Sequence, residues 1–439
     1  LILSDAPPPR SEPALVRAIG VRRLTAILVN VTVGAGIFVL PATAAAGLGH
    51  AAPFAYIACA GAMALIVACI AAAGSRVALT GGIYAYTERA LGPFVGFIAG
   101  ALYWASASFG VASVATALVG SIAVLWPPAD QAAVRIAIVA ATLAALAWAN
   151  VRGVTLGSRV VEVMTVAKLL PLAVLVAAGL WLAPPDPRTW LPPPSASGVG
   201  QTAIVLLFAF VGIEVALVPS GEISEPARTV PRAAFFALTL TTLLYLAIHA
   251  VAQGVLGDSM TDYAAAPLAE TAARLLGPGG GLLVLAGTAV SMLGYVAGDL
   301  LCTPRALFAF GRDGLLPRTL ANVHSRFRTP WIAILVHTVI VAALSTTGSF
   351  TDLVVMANVS TLLLYLLSAA AAYQLQRRDI RSDGPPFVLP GGPLVPIAAS
   401  AVILWLLSQA TAREFLVTGG VVVVAAGYYA LRRNLRFQI

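Results

Sequence analysis

Apolar residues run through this chain in long blocks cut by clusters of Pro, Gly and Arg, and the blocks divide into twelve stretches of membrane-helix length. They lie at roughly 24–47, 51–74, 93–125, 132–150, 160–182, 199–220, 232–256, 280–310, 331–346, 352–375, 393–410 and 414–431. Two of them are interrupted. The first contains Val33-Gly34-Ala35-Gly36-Ile37-Phe38, with Pro41 close behind; the sixth contains Phe208-Ala209-Phe210-Val211-Gly212-Ile213-Glu214, with Pro219 close behind. A third run of small residues, Gly92, Gly96 and Gly100, recurs at one-turn spacing and predicts a close helix–helix contact.

Glycine-interrupted apolar helices at corresponding positions of two halves predict an inverted repeat with a binding site at mid-membrane. The repeats are then 24–182 (helices 1–5) and 199–376 (helices 6–10), with 393–431 (helices 11 and 12) peripheral and short tails at 1–23 and 432–439. Composition agrees with an integral membrane protein. Of 439 residues 59% are hydrophobic and 10% charged, and the mean hydropathy is +0.92, whereas soluble domains carry about 25% charged residues. A pI of 9.8 would suggest nucleic acid in a soluble protein, but arginine placement accounts for it. With the N-terminus inside, twenty-one of twenty-five arginines face the cytoplasm and only Arg135, Arg188, Arg274 and Arg413 face out. That asymmetry predicts cytoplasmic termini and no nucleic-acid partner. Cys59, Cys69 and Cys302 lie in apolar stretches without metal or disulfide spacing and read as small buried hydrophobes. The first apolar stretch is too long for a signal-peptide core, and a start on Leu1 reads as trimmed.

Lys168 is the single lysine, and it lies inside the fifth apolar stretch, roughly 13 Å deeper than the boundary residue Arg159. An ammonium at that depth costs about 2.5–3.5 kcal/mol even on the lenient insertion scale, so such residues usually mark ion or substrate paths. A structural lysine held by helix-end carbonyls is the other reading. The breaks supply complementary chemistry. A broken helix offers N–H groups at the start of its second half, which attract a carboxylate, and carbonyls at the end of its first, which attract an ammonium. Two facing breaks suit a zwitterion, and Gly34 and Gly36 let a ligand approach the main chain. Gly34-Ala35-Gly36 is not a phosphate loop, because no strand precedes it and the third fingerprint glycine is missing. No HExxH, GxSxG or Walker pattern is present, so the sequence supports neither catalysis nor ATP coupling, and no cofactor or metal is expected.

Five segments in order resemble the amino acid–polyamine–organocation (APC) superfamily of transporters. They are Gly34-Ala35-Gly36-Ile37-Phe38, Ala167-Lys168-Leu169-Leu170-Pro171, Phe208 to Glu214, Glu222-Ile223-Ser224-Glu225-Pro226-Ala227-Arg228, and Arg305 with Gly311-Arg312-Asp313-Gly314-Leu315-Leu316-Pro317. The resemblance spans essentially the whole chain. It implies an all-α integral membrane protein of twelve transmembrane helices, a LeuT-like 5+5 inverted repeat with discontinuous helices 1 and 6. It further implies that the backbone N–H groups of Ala35, Gly36 and Ile37 hold a substrate carboxylate and the carbonyls of Thr32, Phe208 and Val211 its ammonium, beside Gly34 and Gly212. Phe208 resembles the family's aromatic gate, Tyr103 matches a position near the pathway, and Glu214 resembles the proton-sensitive acid of family antiporters. Many members have Ser at Ala35, so carboxylate binding here leans more on the backbone. Lys168 matches the lysine that sodium-independent members place where sodium-coupled relatives hold a cation.

Asp299, six residues before Arg305, is the expected partner of Lys168; pairing with Arg305 or facing a vestibule are the alternatives. His249 and His337 read as packing residues, Glu162 as an interface anchor, and Glu222, Glu225, Arg228 and Arg232 as a cytoplasmic salt-bridge cluster. A small apolar lining from Ala105, Ser106, Ser108 and Val111 favours a neutral substrate. The expectation is a secondary transporter of L-amino acids in the bacterial inner membrane, working by alternating access as sodium-independent, proton-coupled symport or exchange. Its partners are the amino acid, protons and the lipid bilayer; the sequence does not fix an oligomeric state. A cationic amino acid or polyamine antiporter, and a membrane nutrient receptor or assembly subunit, are the alternatives.

Overall fold

The computed structural model describes residues 15–436 apart from 35, 187–194, 264–265, 348–349, 382–383 and 409–411. Its elements are helices. In chain order they are α1 (Val21–Thr32), α2 (Gly36–Leu48), α3 (Ala52–Arg76), α4 (Ile83–Leu91), α5 (Pro93–Leu125), α6 (Ala132–Val151), α7 (Val154–Leu182), α8 (Ala196–Phe210) and α9 (Ile213–Ala216). There follow α10 (Pro226–Leu256), α11 (Pro267–Leu276), α12 (Pro278–Cys302), α13 (Pro304–Arg312), α14 (Trp331–Thr347), α15 (Phe350–Arg377), α16 (Leu394–Leu407) and α17 (Ala412–Arg436). The β pairing among the described residues is one isolated parallel bridge, Ile19 to Ile223.

Seven helical stretches of the described residues are long and apolar enough to cross a membrane, and Trp331–Thr346 and Leu394–Leu407 are shorter apolar helices. The chain is thus an all-α, multi-pass membrane protein. Seven is fewer than the twelve apolar stretches partly because the first and sixth are divided, into α1 and α2 and into α8 and α9, and each piece is short. The segment at 256–279, between the seventh and eighth apolar stretches, folds into a 3-10 turn (Gly257–Tyr263) and α11, whose Glu270 and Arg274 pair at 3.0 Å one turn apart.

Helix faces follow from what lipid tolerates. On α7 the side chains of Val163, Val166 and Leu170 are more than half exposed, while Val161, Thr165, Lys168 and Leu172 are buried. A membrane helix is apolar on both faces, so its polar residues alone mark the side that turns inward. Glycines set the close contacts. A Cβ on Gly96 would lie 2.6 Å from Glu88 Cα on α4, and one on Gly100 would lie 2.6 Å from the Phe310 ring on α13. Gly92 acts through its backbone instead, ending α4 and starting α5 at φ 96°.

At the end of the bundle where α10 begins and α12 finishes, one residue ties three segments. The Glu222 carboxylate accepts from Arg305 Nε and, at 3.0 Å, from Arg305 Nη2. The Glu222 backbone carbonyl accepts from the N–H groups of Ala18 and Ile19, each at 3.0 Å, and Ser224 N–H returns a bond to the Ile19 carbonyl at 2.9 Å. Arg305 also donates to the Leu301 carbonyl, and neither charged side chain is exposed. This corrects the expected cluster: Glu222 pairs across eighty-three residues with Arg305, and Glu225–Arg228 is an exposed contact at 3.7 Å. The reason is reach, since Arg305 descends from α13 directly onto the turn that carries Glu222.

Removing one partner of a buried ion pair strands the other charge and costs about 3–5 kcal/mol, whereas replacing both by apolar side chains is often neutral. Arg305→Met is therefore expected to lower the midpoint of thermal unfolding in detergent, and Arg305→Met with Glu222→Leu to recover most of the loss. Equal midpoints for the single variant and the parent would show that the pair is not holding this end together.

Candidate functional site

The two interruptions lie against each other. Helix α1 stops at Thr32, Val33 turns out of the helical region (φ −77°, ψ 73°), and α2 resumes at Gly36. Helix α8 stops at Phe210, Val211 is extended, and Gly212 takes φ 127°, which a side chain would resist, before α9 begins. A Cβ on Gly212 would lie 2.9 Å from the Val31 carbonyl oxygen, and one on Gly36 would lie 3.5 Å from Ala209 Cα. Glycine at these positions lets one main chain rest on the other.

Breaking a helix frees carbonyls that must find donors away from water, and three side chains supply them. Lys168 Nζ donates to the carbonyls of Asn30 and Val33, each at 2.5 Å. Ser291 Oγ on α12 lies 3.0 Å from the carbonyls of both Val33 and Gly34. The Tyr245 hydroxyl on α10 lies 3.1 Å from the Thr32 carbonyl and 2.8 Å from the Ala209 carbonyl, so a single side chain spans both breaks. Thr32 O accepts from Gly34 N–H at 2.9 Å as well. Asn30 fastens α1 to α12 through a bond from Nδ2 to the Gly294 carbonyl, and its Oδ1 is buried without a partner. At the second break the Glu214 carboxylate accepts from Gly212 N–H at 3.1 Å and from the Tyr365 hydroxyl of α15 at 2.5 Å.

The expected Lys168–Asp299 pair is not what forms. Among the described residues Lys168 bonds only to carbonyls of the first break. Asp299, nearly fully buried, accepts from Thr303 Oγ1 at 2.7 Å and pairs with His337 Nε2 of α14 at 2.9 Å. Position explains this: Asp299 lies in the last turn of α12, two turns beyond Ser291, which is the α12 residue level with the break. The Tyr103 hydroxyl donates to Thr303 Oγ1 at 2.9 Å, so Tyr103, Thr303, Asp299 and His337 form one buried chain across α5, α12 and α14.

Other expected residues sit as follows. Thr32, Gly34, Gly36, Ile37, Val211 and Gly212 are at or beside the breaks. Ala35 and the side chain of Phe208 lie outside the described residues. Ser106 turns towards α15, 2.7 Å from Thr361 Oγ1, while Ser108 is buried with no partner for its hydroxyl. Glu162 bonds Arg22 at 2.9 Å. Cys59, Cys69 and Cys302 are free and buried. Sequence reasoning missed Tyr245, Tyr365, Ser291 and Asn30; a polar residue inside an apolar helix was the available signal for each. An apolar cavity of about 450 Å³ between α3, α8 and α16, lined by residues such as Ala58, Leu65, Leu207 and Trp405, offers no group that would hold a charged ligand.

Comparison with known proteins places this geometry. The amino acid permease family profile matches residues 19–424. An uncharacterised transporter of Mycobacterium tuberculosis is 32% identical over 435 residues, covering 95% of this chain and 93% of the relative. A branched-chain amino acid permease of Bacillus subtilis is 26% identical over 419 residues, covering 90% and 88%. A serine/threonine exchanger of the same organism is 26% identical over 449 residues, covering 96% and 98%. With its helices, its two touching breaks and a match along nearly its full length, the chain belongs to the amino acid permease family of the APC superfamily, and is a secondary transporter rather than an enzyme.

Proposed function

We propose that this transporter carries a neutral L-amino acid across the bacterial inner membrane by alternating access, without sodium, as proton-coupled symport or exchange. The observation that carries the reading is the contact between the two breaks, with Lys168 Nζ on the Asn30 and Val33 carbonyls. A fixed ammonium there occupies carbonyls that a cation would otherwise take, which is why sodium is not required. The N–H groups that open α2, at Gly36 and Ile37 with Ala35 ahead of them, take the substrate carboxylate. Carbonyls of Phe208 and Val211 take its ammonium. Thr32 contributes less than the family pattern suggests, because its carbonyl already accepts from Tyr245 and Gly34.

The architecture proposed with this function is twelve transmembrane helices in a 5+5 inverted repeat. The repeats are 24–182 and 199–376, helices 1 and 6 are the discontinuous ones, 393–431 is peripheral, and both termini are cytoplasmic. Arginine placement supports the orientation. Phe208 is assigned as gate and Tyr103 as a residue that reports on the pathway through Thr303. A neutral substrate is favoured over a cationic one because Glu214 is already committed to Gly212 and Tyr365. A relative named for branched-chain amino acids and another for serine and threonine are in keeping with that choice.

Uptake by proteoliposomes across a panel of amino acids, with and without an imposed pH gradient, tests the reading. Accumulation of a neutral amino acid without sodium is expected; strict sodium dependence would overturn the role of Lys168. Lys168→Met should reduce uptake to near background, because the Asn30 carbonyl loses its donor, at about 1–3 kcal/mol, and the Val33 carbonyl is left with Ser291 alone. Tyr245→Phe should raise KM by about ten-fold through loss of the hydroxyl bridging Thr32 and Ala209, a cost of about 1.4 kcal/mol. An unchanged KM would remove Tyr245 from the site.

A further inference from the structure

Beyond Tyr245, the same face of α10 carries His249 and then Gln253, each one turn further from the crossing of the breaks. His249 is fully buried, and neither ring nitrogen has a hydrogen-bond partner. Its ring stands 5.1 Å from that of Tyr56 on α3, whose buried hydroxyl is likewise unpartnered. Gln253 Oε1 and His50 Nδ1 are two more buried polar atoms without partners. His50 in turn reaches the surface, where its Nε2 lies 3.4 Å from the almost fully exposed Asp258 carboxylate. Polar groups therefore lie between the exposed Asp258 and the two breaks: His50 beside Asp258, His249 against Tyr56, and Gln253 and Tyr245 one turn to either side of His249 on α10.

Buried polar groups are rarely left unpaired, since each unmade bond is unfavourable, and clusters of them are where proteins hold water and protons. Of these side-chain types, imidazole is the one that can both accept and release a proton as a nitrogen base. We propose that His249, with Tyr56 and Tyr245, forms a hydrated proton-binding site beside the crossing, filled from the His50–Asp258 side, and that the coupled proton travels on His249. This rests on the proton-coupled, cytoplasmic-termini reading above, which places Asp258 outside. The neutral imidazole takes a proton from external water to become imidazolium. It keeps the proton while the outer path is closed and gives it up to water on the cytoplasmic side after alternation, returning to neutral imidazole.

The surroundings favour His249 over the other buried acids and bases. Glu214 is held by Gly212 and Tyr365, Asp299 by Thr303 and His337, and Lys168 by two carbonyls. Tyr56 faces His249 from α3, Tyr245 lies one turn away on its own helix, and His50 comes from the turn Gly49–Ala51. The outer 3-10 turn contributes Asp258, which is taken by His50. From α11 come Glu270 and Arg274, paired with each other at the surface. The charged residues of α1, Arg22 and Arg23, lie at its other end, where Arg22 pairs with Glu162 of α7, and α2 carries no charged residue.

The test compares two assays on purified transporter in proteoliposomes: accumulation driven by an inward pH gradient, and exchange at equal pH. One coupled proton supports about ten-fold accumulation per pH unit. In His249→Gln that accumulation should collapse towards unity and the pH dependence of KM should flatten, while equal-pH exchange falls by no more than about three-fold, because the substrate contacts are elsewhere. Wild-type accumulation in His249→Gln overturns the proposal. If His249→Gln is inactive in both assays, Tyr56→Phe decides, since it subtracts one hydroxyl. A shifted pH profile for gradient-driven uptake upholds the site and an unshifted one overturns it. A wild-type protein that exchanges but ignores the gradient overturns proton coupling itself, an outcome recognisable because the parent, not the variant, fails.

Discussion

A helix interrupted inside a bilayer leaves main-chain carbonyls that neither water nor lipid can satisfy, and the arrangement around both breaks answers that need. The carbonyls of Asn30, Thr32, Val33, Gly34 and Ala209 receive Lys168, Ser291 and Tyr245 from three different helices. These donors fix α7, α10 and α12 around the crossing, so the packing of the bundle is set by the same bonds that shape the site. Lys168 is the strongest case. Its charge is unfavourable in an apolar helix, and the carbonyl end of α1, with its partial negative charge, offsets it.

A second constraint acts at the end of the bundle that holds Glu222. There a single carboxylate and its own carbonyl join Arg305 on α13, the turn after α9 and the chain entering α1. The broken helices are thus tethered at two levels: by hydrogen bonds to carbonyls at the crossing, and by a buried ion pair at the Glu222 end. The chain from Tyr103 through Thr303 and Asp299 to His337 lies elsewhere, joining α5, α12 and α14 to one another.

Much of this was legible from the residues. The positions of the breaks were marked by Gly34, Gly36 and Gly212, because glycine permits the close approach that a side chain at φ 127° or 2.9 Å from a carbonyl would prevent. Lys168 announced itself by its type and place. Partners were another matter. Asp299 was the partner expected for Lys168, yet it lies about two turns from the level of the break and pairs with His337, a residue that the sequence offered as packing. Glu222 had Arg228 close in sequence and instead took Arg305.

By itself the sequence determined that the chain is a helical, multi-pass membrane protein and marked the glycines where α1 gives way to α2 and α8 to α9, because length, hydropathy and glycine act locally. Only the tertiary structure decided which groups meet. Apolar helices in lipid carry little periodicity to show which face turns inward. The acceptors that matter most, the carbonyls of Asn30, Val33, Thr32 and Ala209, belong to the main chain that every residue shares. Sequence names the donors, and only the packing of distant helices selects the carbonyls they reach.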